Sequence, residues 1–131
     1  MSFRSPVRVR YPETDAMGVA HHTNFFIWFE IGRTELLRDG GFSYADLEKE
    51  QIFLPVVEAT CRYLRPAQYD ELLWVETEVA GIGAVKIRFS YRITRQEDGR
   101  LIATGNTLHA SLNGRRKPTR IPVRIRDLLL K

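Results

Sequence analysis

The chain reads as an α+β domain in which an antiparallel β-sheet wraps around one long central α-helix. Two observations predict this. Six of the seven residues from Phe25 to Ile31 are apolar within a helical stretch over 23–39, so the helix is greasy nearly all round and belongs inside something. The second half of the chain is a succession of alternating segments separated by turn residues, the pattern of a meander of strands with one apolar face each. Helices first and strands afterwards, rather than the two interleaved, give the α+β order. One mostly apolar helix is then available to cover the apolar face of the sheet.

Taken in order, Val7-Arg8-Val9-Arg10-Tyr11 alternates with period two, as a half-buried strand does. A turn-rich stretch follows from Pro12 to Gly18. Phe25 to Phe29 alone would also suit a strand, but the length of the stretch, Thr34-Glu35-Leu36-Leu37-Arg38 and the Gly40-Gly41 stop decide for a helix. Ser43-Tyr44-Ala45-Asp46 begins a second, short helix with a variant of the capping box. Strands are expected over Val56 to Tyr63, Leu72 to Val79, the alternating run Val85 to Thr94, and Leu101 to Leu112. Gly81-Ile82-Gly83, Glu97-Asp98-Gly99 and Asn113-Gly114 punctuate them. Pro122 opens a last short helix that ends in Leu128-Leu129-Leu130.

A length of 131 residues, 44% hydrophobic and 27% charged, fits one globular domain over 1–131 that buries roughly two-thirds of its unfolded surface. The longest unbroken apolar run, Phe25 to Phe29, falls far short of the ~18 residues of a spanning helix. Met1 to Pro6 holds no apolar signal core, so a cytoplasmic location is expected. Cys61 is the one cysteine, which excludes an intrachain disulfide and multi-cysteine zinc sites. Sharing a strand face with Val57 and Ala59, it should be a buried, inert thiol. The net charge of +4 is uneven: residues 115–131 carry +6 and residues 1–114 carry −2. A basic terminal segment suits an anionic partner such as nucleic acid, an acidic membrane face or a phosphorylated cofactor; its plainer reading is a solvated basic edge.

Several motifs are absent. No phosphate-binding loop and no His-Glu-x-x-His occur, and Gly81-x-Gly83 lies between strands with no helix to receive a phosphate. Gly41-Phe42-Ser43-Tyr44-Ala45 faintly resembles a nucleophile elbow but follows a helix, so Ser43 is read as a helix cap. His21 and His22, if helical, point about 100° apart with no carboxylate beside them, so neither a metal nor a cofactor is expected. His109 shares a strand face with Thr107 and Ser111 and reads as polar packing. The chemistry concentrates between Tyr11 and Phe25. Asp15 lies in a turn, Gly18 permits tight backbone geometry, and His22-Thr23-Asn24 leads into the apolar helix. The first turn of a helix carries N–H groups without intrahelical partners and about half a positive charge. Such donors can polarise a carbonyl and hold an oxyanion, with an upstream carboxylate as base or nucleophile. Equally, Asp15 can cap a turn while Gly18 serves only the backbone.

Tyr11-Pro12-Glu13-Thr14-Asp15-Ala16-Met17-Gly18-Val19-Ala20-His21-His22-Thr23-Asn24-Phe25 resembles the signature of hotdog-fold acyl-CoA thioesterases. It is most similar to the 4-hydroxybenzoyl-CoA thioesterase family and its Tol-Pal-associated relatives. The similarity runs on through Phe29 to Leu37 and the strand order, covering nearly the whole chain. It implies a hotdog fold, paired into a homodimer or homotetramer with active sites at the dimer interface. It assigns Asp15 the part of catalytic carboxylate, as nucleophile or general base. The backbone N–H near His22 would polarise the thioester carbonyl, the His22 side chain would help position substrate, and Gly18 and Thr23 would be substrate-binding residues. Basic residues of the C-terminal region hold the coenzyme A nucleotide in this family, which implies that part for Arg115, Arg116, Lys117 and Arg120. Met17 and His21 depart from the commonest residues at their positions, which would alter the pocket and its acyl preference. Glu30, the lone charge in the apolar part of the helix, is a reserve candidate for the carboxylate.

The function so implied is hydrolysis of an acyl-CoA thioester to a free acid and coenzyme A, with coenzyme A as part of the substrate. A hotdog hydratase or dehydratase is a second reading, but the seven-residue interval from Asp15 to His22 does not match its motif. A non-catalytic acyl-CoA or nucleic-acid binding module is a third. Nucleic-acid binding would favour aromatics among the basic residues, and 115–131 contains none. Phe25, Phe26 and Trp28 suit either a pocket for an aromatic or medium-chain acid or plain core.

Overall fold

The computed structural model describes residues 2–131. Five antiparallel strands form one sheet: β1 (Ser2–Arg8), β2 (Val56–Tyr63), β3 (Leu72–Ile82), β4 (Lys86–Arg95) and β5 (Leu101–Ala110), in the order β1-β3-β4-β5-β2. The central helix α1 (Asn24–Asp39) packs against this sheet; α2 (Tyr44–Lys49) and α3 (Val123–Leu129) are short. The expected architecture is present. Among the described residues, no helix is long and apolar enough to cross a membrane.

Helix α1 stops where the sequence says it should. Gly41 takes φ +95°, Gly41 N–H donates to Arg38 O and Phe42 N–H reaches back to Leu37 O, which is a Schellman ending. Ser43 Oγ accepts from Asp46 N–H and starts α2. Trp28, Phe29, Leu36 and Leu37 of α1 are fully buried against Val75, Phe89 and Ile93, each contributing about 1.5–3 kcal/mol of apolar burial. Two glycines permit this approach. A side chain at Gly32 would run into Val75 and Thr77 of β3, and one at Gly105 would occupy the space of the Phe29 ring. Phe29 instead lies flat on Tyr91, ring centroids 4.3 Å apart.

Several boundaries differ from the sequence expectation. The first strand spans Ser2–Arg8 rather than 7–11, because β1 is an edge strand where Pro6 is tolerated, and Tyr11–Glu13 forms a 3₁₀ turn. β3 runs past Val79 to Ile82 through a bulge between Val79 and Gly81. β5 ends at Ala110, two residues early, because Leu112 instead bridges Phe53 and Pro118. Cys61 is not buried. It is half-exposed, since β2 is the other edge strand and Val56 to Thr60 are all exposed. Helix α1 is likewise covered on one side only: Phe26, Ile27 and Ile31 are 36%, 50% and 38% exposed.

A chain of polar groups crosses the core. His109, fully buried, lies 2.9 Å through Nδ1 from Leu54 O and 2.8 Å through Nε2 from Thr107 Oγ1. A carbonyl only accepts, so Nδ1 carries the proton and Nε2 accepts from the Thr107 hydroxyl. Thr107 Oγ1 then accepts from Tyr91 Oη, 2.6 Å away. Burial, with the Arg33 charge adding to it, pushes the His109 pKa down to about 4, while its bond to Leu54 opposes the shift. The polar packing expected of His109 is present.

Candidate active site

The segment between the 3₁₀ turn and α1 is a closed loop. Thr14 bridges Ala20, Asp15 N–H donates to Val19 O, and Gly18 N–H returns to Asp15 O. Gly18 makes the turn possible with φ +78°, the geometry that glycine adopts without cost. The loop is pinned sideways by Ala20 N–H to Ala67 O and Tyr69 N–H to Gly18 O.

This loop orients the Asp15 carboxylate. Oδ1 accepts from Met17 N–H at 2.8 Å and from Val19 N–H at 3.4 Å, while Oδ2 has no hydrogen-bond partner among the described residues. The side chain is thus fixed through one oxygen with the other left open. Asp15 lines a pocket of about 340 Å³ together with His22, Phe25, Tyr63 and Arg65.

The helix start corrects one expectation. The N–H groups of Asn24, Phe25 and Phe26 are not orphans, because they donate to the carbonyls of His21, His22 and Thr23. A tight first turn has consumed them. Thr23 N–H meets His21 Nδ1 at 3.3 Å, and at this entry the N–H of His22, two residues before α1, has no hydrogen-bond partner among the described residues. His21 and His22 do not lie on the helix either; they precede it, with rings stacked 4.2 Å apart. Thr23 turns away from the pocket, its hydroxyl 2.8 Å from His21 Nδ1, and supplies no side-chain cap.

Two side chains here carried no sequence signal. Tyr63, at the end of β2, donates from its hydroxyl to His22 O at 2.9 Å, and its ring meets the His22 imidazole edge-on. Burial, reinforced by Cys61, pushes the Tyr63 pKa up to about 12, so the phenol stays a donor. Arg65 brings a guanidinium to the pocket wall. Both lie some forty residues from His22 and meet it only through the packing of β2 beside α1.

The basic residues lie elsewhere. Asn113 Oδ1 accepts from Arg115 N–H and Lys117 N–H, folding residues 113–117 into a turn that carries Arg115, Arg116 and Lys117 together on the surface. That turn borders a larger cavity of about 610 Å³, lined by Tyr44, Phe53, Leu54, Leu112 and Arg116, which contains neither Asp15 nor His22. Arg120 is separate again, beside Arg126 and Pro122. Phe53, which pairs with Leu112, precedes Tyr63 by ten residues, so roughly 30 Å of extended chain separates the basic turn from the Asp15 pocket. Glu30 lines a third site with Arg33 and Val56 and does not reach Asp15.

Residues 9–129 match the family model described as the thioesterase-like superfamily. The chain belongs to that superfamily. Among thioesterase-like relatives, an acyl-CoA thioesterase of Haemophilus influenzae, YbgC, is 36% identical over 125 residues, covering 95% of this chain and 91% of its own. YneP of Bacillus subtilis is 39% identical over 90 residues, 69% of this chain and 65% of its own length, just under two-thirds. The solved structure of a DHNA-CoA thioesterase from Staphylococcus aureus superposes with a TM-score of 0.89 at 33% identity, over 96% of this chain and 85% of that one. The thioesterase-like chain therefore has the hotdog fold, and the sheet and helix described above are its two parts.

Proposed function

We propose that this enzyme hydrolyses acyl-CoA thioesters at the Asp15 pocket, in a site completed by a second copy of the chain. The observation that carries the reading is one pocket lined by both Asp15, whose Oδ2 has no hydrogen-bond partner among the described residues, and His22, whose backbone N–H has none. The thioester carbonyl oxygen takes the His22 N–H, which stabilises the negative charge that develops on attack. Asp15 Oδ2 either removes a proton from the attacking water or attacks the carbonyl carbon itself. In both cases the carbon–sulfur bond breaks, and coenzyme A leaves as thiolate and takes up a proton. Attack by Asp15 leaves a mixed anhydride that water then opens at the acyl carbon. By either route water supplies the oxygen of the free acid and the Asp15 carboxylate is restored. Hydrolysis so described requires no cofactor, and the free Cys61 thiol suits a reducing cytoplasm.

Completion by a second copy rests on three features. β2 offers an unpaired edge, which invites strand addition. Val56, Val57, Phe26, Ile27 and Ile31 form an exposed apolar face around that edge. Antiparallel pairing of β2 with its copy about a two-fold axis sets the Val56 end of one strand against the Tyr63 end of the other. The second copy's basic turn, 113–117, then stands beside this chain's Asp15 pocket, where its cations meet the phosphates of coenzyme A. A panel of acyl-CoA esters, from short to long and aromatic, tests the reading. Turnover that disappears in Asp15→Asn supports it, and no turnover across the panel overturns it.

A further inference from the structure

Resting on the acyl-CoA thioesterase reading, we propose that Glu13 is a positioning residue for that reaction: it sets the spacing between the Asp15 carboxylate and the His22 N–H. Glu13 is only 6% exposed, two residues before Asp15. Its Oε1 accepts from Arg10 N–H at 2.7 Å, with Arg10 Nε 3.4 Å away, and its Oε2 accepts from the indole Nε1–H of Trp28 at 3.2 Å. Its own carbonyl accepts from His21 N–H and from Asn24 Nδ2, each at 2.8 Å. One residue thereby joins three segments. Thr14 and Asp15 leave from it, His21 and Asn24 return to its carbonyl, and α1 is tied to its carboxylate through Trp28, which is fully buried in the core.

The other ties of the loop, to Ala67 and Gln68, hold it sideways to the segment after β2. The ties towards α1 run through Glu13, its carbonyl to Asn24 Nδ2 and its carboxylate to Trp28 Nε1–H, and the second is the one that a side-chain substitution removes. A carboxylate only accepts, and here each oxygen faces an N–H donor. Charge-assisted bonds of this kind are stronger than neutral ones. Attack on a carbonyl tolerates little error, since a displacement of ~1 Å can cost on the order of a hundredfold in rate.

Glu13→Gln tests the assignment because the amide offers one acceptor and one N–H where two acceptors stood. Either Arg10 N–H or Trp28 Nε1–H then faces another donor, and the loop shifts. The expected result is a kcat lower by about tenfold, with KM changed less than about twofold, because the surface that holds coenzyme A is untouched. In an Asp15→Asn background the same substitution removes nothing further, since the group that Glu13 positions is already disabled. Trp28→Phe breaks the same bond from its other end and gives the same loss confined to kcat, which keeps the test open if Glu13→Gln folds poorly. An unchanged kcat, a loss carried by KM, or the same proportional loss with and without Asp15 overturns the proposal. Turnover by the unsubstituted protein and its collapse in Asp15→Asn are read first. If they fail, the active-site reading falls and Glu13 with it; if they hold, an inert Glu13 counts against Glu13 alone.

Discussion

Asp15 and His109 are both polar groups held by hydrogen bonds, and they are held in opposite ways. His109 is fully buried, and each of its ring nitrogens has a partner in a chain that runs from Tyr91 through Thr107 to Leu54. Asp15 is exposed, with one oxygen tied to two loop N–H groups and the other unclaimed. The inner network uses the bonding capacity of the imidazole to hold the Leu54 segment against the sheet. The outer one spends half of a carboxylate on orientation and leaves half for a reactant. Satisfied groups build the scaffold, and the group with an oxygen to spare is the one placed to react.

The contrast breaks first at Asp15. Asp15→Asn retains an acceptor for the loop N–H groups but can neither attack nor take a proton. We expect kcat to fall by at least about a hundredfold with little change in Tm, as loss of a base or nucleophile does. Steady-state kinetics beside thermal unfolding decide it, and a Tm that falls in step with the activity would return Asp15 to the scaffold.

His109 should behave the other way round. Its folded pKa lies near 4 and its unfolded pKa near 6.5. The unfolded chain therefore takes up the proton first as pH falls. The stability His109 contributes is complete above pH 6.5 and is lost as pH drops towards 4, by about 3 kcal/mol at the limit. Denaturant unfolding across that window should show the slope in the native protein and a flatter profile in His109→Phe. That variant should also be less stable at pH 7 by roughly 1–3 kcal/mol, because Leu54 O and Thr107 lose a partner. An unchanged slope would mean that His109 is not the group that titrates.

Tyr63 sits between the two extremes, and its effect should be the smallest. Tyr63→Phe removes the bond to His22 O and leaves the ring contacts with His22 and Phe25. A hydrogen bond of about 1 kcal/mol corresponds to a several-fold drop in kcat, with KM nearly constant. A loss as deep as that of Asp15→Asn would promote the phenol from orienting His22 to acting on the substrate.

The sequence made the fold legible because its two periodicities were clean, an apolar helix with a double-glycine stop and alternating strands with turns between them. It also singled out Asp15, Gly18 and His22, which stand within a few residues of one another. What it hid followed from packing. The free N–H moved from the first helical turn to His22, because the tight entry of α1 let three carbonyls take the expected orphans. Tyr63 and Arg65 arrive from a strand end that only the edge position of β2 places near α1. Cys61 misled because alternation alone cannot distinguish an edge strand from a covered one. Glu13 was written inside the motif, but its bond to Trp28 spans fifteen residues and follows from no local period.

The central claim is a site shared between two copies, with Asp15 from one chain and the basic turn from the other. Mixing two damaged proteins tests it directly. One carries Asp15→Asn with the basic turn intact; the other carries Arg115→Ala, Arg116→Ala and Lys117→Ala with Asp15 intact, and is itself expected to show a raised KM for acyl-CoA. A hybrid of the two holds one site with both defects and one with neither. After denaturation and joint refolding at equal amounts, statistical pairing predicts that about a quarter of the native activity returns at low acyl-CoA concentration, with the native KM. Activity no higher than the average of the two proteins refolded separately would contradict the account, because it would place the carboxylate and its basic turn in the same chain.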